Sequence, residues 1–198
     1  MRTVTVTGQG EARVVPDSAV VRVAAVHRAE GVAEALAGAA SASRQAATTA
    51  REHTTPERIA TTTVQIWPVH DDRGAASGYE ATHSLTIRCP GIDEADALLA
   101  SLTESVGDRL RVEGVSLEVA DPSAAETAAR EAAFADAVAR ATHLAELAEA
   151  ELGETQEVVE GGSRAGTPRL AKAVAMDASL EPGERAVSSA VTVTFQLR

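Results

Sequence analysis

The stretch AVVRVAAVHRAEGVAEALAGAASASRQAATTARE, Ala19 to Glu52, changes its period midway. Its first part reads as a strand, with Val21, Val23 and Ala25 on one side and Val20 and Val26 on the other. Apolar residues on both sides imply partial burial of both faces. From Gly31 onward Val32, Ala35, Leu36, Ala39, Ala40, Ser43, Ala46, Ala47 and Ala50 keep helical spacing. The helix face is mostly alanine, so each residue buries little area but allows close approach to a sheet.

Working outward, Thr3 to Thr7 alternates β-branched residues as a strand, Gly8-Gln9-Gly10 breaks it, and Ala12 to Val15 resumes. Beyond the helix, Pro56-Glu57 makes a turn. Thr61–Val69 and Gly78–Cys89 then flank the polar turn His70-Asp71-Asp72-Arg73-Gly74 as a long hairpin. Tyr79, Ala81, His83, Leu85 and Ile87 share one of its faces. Asp93 is placed to cap a helix carrying Ala95, Leu98, Leu99 and Leu102. Arg111 to Val119 alternates as a strand. Ser123 with Glu126 spells a capping box for a helix running to about Leu152, stopped by Gly153. Its expected buried side is Ala128, Ala132, Phe134, Val138, Ala141, Ala145 and Ala148. Glu157 to Glu160 reads as a short strand, Gly161 to Glu184 as a long loop, and Ala186 to Leu197 as the closing strand. The order ββαββαβαββ predicts an α+β fold, with mixed or antiparallel sheets flanked by alanine-rich helices. Two small lobes are expected, about 1–89 and 90–198, the closing strand being free to return to the first.

The chain has 198 residues and a formal net charge of −11. That length supports a core without disulfides or metals. So acidic a chain offers no basic face for a phosphate backbone and none for anionic lipid. No nucleic acid is expected as a partner, and no run is long enough to span a membrane. Cys89 is the one cysteine. It ends an apolar strand and reads as a small buried hydrophobe. A redox role for its thiol is the sharper alternative.

Catalytic constellations are not legible. His27, His53, His70, His83 and His143 are widely spaced, and none falls in a metal-binding motif. His70-Asp71-Asp72 is the best local metal cluster and reads as a solvated turn. Gly8-x-Gly10 lacks the third glycine of a dinucleotide cradle, because Arg13 stands there. No catalytic, cofactor or metal residue is therefore assigned. Trp67 reads as filling a core corner, with a pocket wall as the alternative. Trp67 and Tyr79 come from facing strands of the hairpin, and if they meet at its tip they make a partner-recognition edge.

Taken in order, the motifs resemble those of the SIMPL-domain family, a bacterial domain of unknown function. Val4-Thr5-Val6-Thr7-Gly8-Gln9-Gly10-Glu11 with Val15-Pro16-Asp17 resembles the family's opening. Ile66-Trp67-Pro68 with Gly78-Tyr79-Glu80-Ala81 follows, then Val112 to Leu117 with Asp121-Pro122. Leu152-Gly153, Glu181-Pro182-Gly183-Glu184 and Val191 to Phe195 complete the series. The likeness covers essentially the whole chain. It implies an α+β fold in two small lobes, no established enzymatic activity, and no catalytic residues to carry over. Many relatives are exported to the envelope and linked to stress, and some self-assemble. This sequence opens without an export signal, so a cytoplasmic location is expected if Met1 is the natural start. The expected function is a non-enzymatic binding or self-assembly protein, a homo-oligomer with an unidentified protein partner and no cofactor. The alternative is a small-molecule binder or enzyme using a cleft between the lobes, near His83 or Tyr79.

Overall fold

The computed structural model describes residues 2–72, 74–165 and 180–198. Its elements are β1 (Arg2–Val14), β2 (Ser18–Ala29), α1 (Val32–Ala50), β3 (Ile59–His70), β4 (Ala76–Cys89), α2 (Ile92–Val106), β5 (Leu110–Glu118), α3 (Ser123–Leu147), β6 (Leu152–Ala165) and β7 (Arg185–Leu197). Short 3-10 turns precede β3 and β5. This is the α+β order read from the sequence, and every strand pairing is antiparallel.

The strands form two sheets, ordered β1-β7-β6 and β3-β4-β2-β5. They divide the chain at 15/16 and 120/121 rather than at 89/90, giving two compact units. One holds β1, α3, β6 and β7; the other holds Pro16–Ala120, with Leu180 against its core. The physical reason is pairing: the closing strand returns to β1, which shares no ladder with β2.

In the three-stranded unit, β1 runs unbroken through Gly8-Gln9-Gly10 and pairs with β7 from Arg2↔Leu197 to Val14↔Arg185. The glycines do not interrupt the strand; they admit α3. A methyl group on Gly8 would overlap the Ala133 carbonyl oxygen and the Ala137 nitrogen, and one on Gly10 the Ala129 carbonyl oxygen. The helix answers with alanine at every fourth position. Ala141 and Ala145 are buried as expected, but Ala129, Ala133 and Ala137 join them in place of Ala128, Ala132 and Phe134, and Phe134 is partly exposed. Val4, Val6, Val191, Val193 and Phe195 complete this core. On the opposite face Thr5 and Thr194 share a 2.9 Å hydroxyl bond, as do Thr7 and Thr192.

The capping box does not form, since no side chain caps α3 through Ser123. Instead Asp121 Oδ1 accepts the Ser123 N–H at 3.0 Å, and the bonds from Ser123 hold that carboxylate below its usual pKa. The helix stops at Leu147, with Glu149 in the left-handed region (φ 52°). Gly153 lies inside β6, which starts earlier than expected and continues to Ala165. The expected 161–184 loop thus begins as strand, and its residues 166–179 lie outside the described residues.

In the four-stranded unit, α1 and α2 cover one face. Val21 and Val23 of β2, Leu85 and Ile87 of β4, Ala42 and Ala46 of α1, and Leu98 and Leu102 of α2 form its core. Gly91, not Asp93, is the N-cap of α2. The hydroxyls of Thr49 and Ser105 bond at 3.0 Å between the helices. No helix among the described residues is long and apolar enough to cross a membrane.

Candidate functional site

Register decides where the hairpin's aromatic residues point. Trp67 stands opposite Glu80 and Pro68 opposite Tyr79. Neighbouring strand positions alternate faces, so Trp67 and Tyr79 point to opposite sides of the sheet and do not combine into one recognition edge. Tyr79 turns to the helix side and packs with Ala35, Ala39, Ala81 and Ile66. Trp67 turns away and is 60% exposed, so it does not fill a core corner. β3 is an edge strand, and α1 and α2 lie on the other face. His83 faces inward, and its Nε2 is buried without a hydrogen-bond partner among the described residues.

The face carrying Trp67 also carries an arginine–carboxylate cluster. Glu80 lies between Trp67 on β3 and Arg28 on β2. Arg28 Nε donates to Glu80 Oε2 at 2.7 Å, and an Arg111 terminal nitrogen donates to Oε1 at 3.4 Å. The Arg28 bond holds the Glu80 carboxyl below its usual range, partly opposed by burial. A cleft of about 380 Å³ adjoins the cluster, lined by Val26, Arg28, Glu80, Asp108, Arg109 and Arg111. Sequence reasoning missed this group. Its members come from three strands and a turn, and no local spacing connects them.

A second concavity, about 410 Å³, lies in the three-stranded unit. Because α3 packs over β1 and β7, the helix-facing side of β6 is left largely uncovered. Phe134, Val158 and Val191 form the groove's apolar walls, and the 2.7 Å Arg130–Glu160 pair crosses its rim. On its other flank α3 reaches the free edge of β1. Asp136 Oδ2 accepts the Gln9 N–H at 2.8 Å, Arg140 donates to the Thr7 carbonyl at 3.2 Å, and the two side chains pair at 2.9 Å.

The remaining chemical candidates are structural. Cys89 is buried, and desolvation, with the Glu94 carboxylate adding to it, pushes its thiol up to about 11 against the pull of Arg58. That is opposite to the setting of a reactive thiolate. Asp71 Oδ1 accepts the Ala75 N–H at 2.9 Å within the hairpin turn. Among the described residues no group of three His, Cys, Asp or Glu side chains is placed to hold a metal ion.

No curated protein matches the sequence. Among solved structures the chain is partly similar to a hydantoinase/carbamoylase family amidase from Burkholderia ambifaria, at 17% identity and a TM-score of 0.27. The likeness covers 52% of this chain and 28% of that one, too partial to carry fold or activity across. The family comparison covers nearly the whole chain: residues 4–195 match SIMPL, "Protein of unknown function (DUF541)", and the chain belongs to that family.

Proposed function

We propose that this chain is a non-enzymatic binding or assembly protein that works through its sheet edges and not through a reaction centre. One observation carries the reading: large apolar side chains stand exposed along edge strands, Val64 and Trp67 on β3 and Val158 and Val159 on β6. Edge strands present unpaired N–H and C=O groups, and apolar side chains beside them favour adding another strand. Size exclusion with light scattering over a concentration series tests assembly. Mass rising above 20.4 kDa with concentration is the expected result. A constant 20.4 kDa up to high concentration counts against assembly.

The Arg28–Arg109–Arg111 cleft favours a second reading, a binder of small anions. Guanidinium groups recognise carboxylate and phosphate through paired N–H donors, and Glu80 pre-orients two of the three. Citrate and inorganic phosphate serve as probes in a thermal-shift titration. Stabilisation that disappears in Arg109→Ala supports this reading, and no shift with either probe removes it.

A further inference from the structure

The two sheets have four edges, β1 and β6 in one and β3 and β5 in the other. We propose that β3 is the edge through which two copies of this chain pair, antiparallel and two-fold symmetric, over Thr63–Trp67. The proposal rests on the assembly reading above and assigns it a surface.

The other three edges each carry an obstacle. On β1 the outward Gln9 N–H and Thr7 carbonyl are already occupied by Asp136 and Arg140. β6 carries Glu154, Glu157 and Glu160. Self-pairing would crowd those acids together in a chain whose formal charge is already −11. Like charges set opposite one another on paired strands destabilise the pairing. β5 is only nine residues long, carries Arg111, Glu113 and Glu118, and is interrupted by a register shift opposite Arg22/Val23. Short, bulged, charged strands are the usual means of closing an edge.

β3 differs in charge and in the apolar side chains it exposes. Ile59 to Val69 contains no Asp, Glu, Lys or Arg, so a second copy meets no like charge in any register. Thr61 to Gln65 are all exposed. Val64 is 50% exposed on the helix-facing side and Trp67 60% on the other, so an added strand gains apolar cover on both faces. The register shift between Thr61 and Thr63, and Pro68, which lacks an N–H, bracket the usable stretch. Its centre is Gln65. A two-fold axis there sets Gln65 against Gln65 of the second copy, Val64 against Ile66 and Thr63 against Trp67. So short a ladder implies a weak, concentration-dependent dimer, with the four-stranded sheets joined edge to edge.

Gln65 is exposed and the native Cys89 is buried, so a thiol placed at 65 reports this contact without competition. The experiment uses the full chain. Sedimentation velocity over a concentration series is run on wild type and on Gln65→Lys, with circular dichroism confirming that the variant folds. Mild oxidation is then applied to Gln65→Cys and, separately, to Val159→Cys. The expected result is a wild-type dimer, at least tenfold weaker dissociation in wild type than in Gln65→Lys, and disulfide dimers with Gln65→Cys but not with Val159→Cys. A dimer that is indifferent to Gln65→Lys, or that cross-links through Val159→Cys alone, overturns the β3 surface while leaving assembly standing. A wild-type chain that stays monomeric throughout overturns both.

Discussion

Gly8 has no side chain because the backbone of α3 occupies the space one would need. An alanine there overlaps Ala133 and Ala137, both on a packed helix with no flexible end to yield. Overpacking of this kind costs about 1–3 kcal/mol. Gly8→Ala is therefore expected to lower stability in urea by that amount, and an unchanged midpoint would show that the helix stands off. Glu80 sets a second residue-scale expectation. Its carboxyl pKa is depressed, chiefly by the bond from Arg28. The stabilisation it gives is present above the unfolded carboxylate value of about 4.3, and it is lost as pH falls through the lower folded value. Both arginines are largely exposed, so the pair contributes at most about 1 kcal/mol. Glu80→Gln is expected to destabilise the protein at pH 7, with the gap to wild type closing in acid melts. A gap that persists unchanged at low pH would assign the effect to packing.

At the scale of elements, α3 both roofs its sheet and closes one edge. Asp136 and Arg140 stand one turn apart and hold two of the β1 groups that face away from β7, the Gln9 N–H and the Thr7 carbonyl. Asp136→Ala with Arg140→Ala removes both contacts and frees a thirteen-residue strand. Greater self-association by dynamic light scattering is expected, with circular dichroism unchanged at low concentration. Solubility equal to wild type would mean the side chains guard nothing. This edge was not legible in the sequence. Neither was the precise face of α3: alanines surround that helix, so composition could not tell Ala128 from Ala129, and the glycines that select the face lie more than a hundred residues away. Periodicity did reveal the strands and helices themselves, because period two and period 3.6 separate cleanly in the stretches from Ala19 to Ala50 and from Gly78 to Leu102. The site was less visible than the fold. Trp67 and Tyr79 were found as aromatic residues on facing strands, but a one-residue offset in register puts them on opposite faces. The arginine cluster needed the sheet order itself.

For the whole molecule, the four-stranded unit takes all its strands and helices from one stretch, Pro16–Ala120, and the three-stranded unit is assembled from both ends of the chain. Residues 16–120 contain both helices and all four strands of their own core, so this fragment is expected to fold alone. A cooperative thermal transition by circular dichroism would bear this out, and a featureless melt would show that Leu180 or other outside residues are required. The reciprocal piece, 121–198, lacks β1 and leaves the alanine face of α3 bare. It is expected to stay unfolded until β1 is supplied as a peptide.

The Arg2↔Leu197 pairing has a topological consequence. The start of β1 and the end of β7 lie side by side on neighbouring strands, so a few added residues would join these two ends of the domain into a ring. Such a ring could be reopened at the Gly74 bend, yielding a circular permutant with the native sheets and new termini.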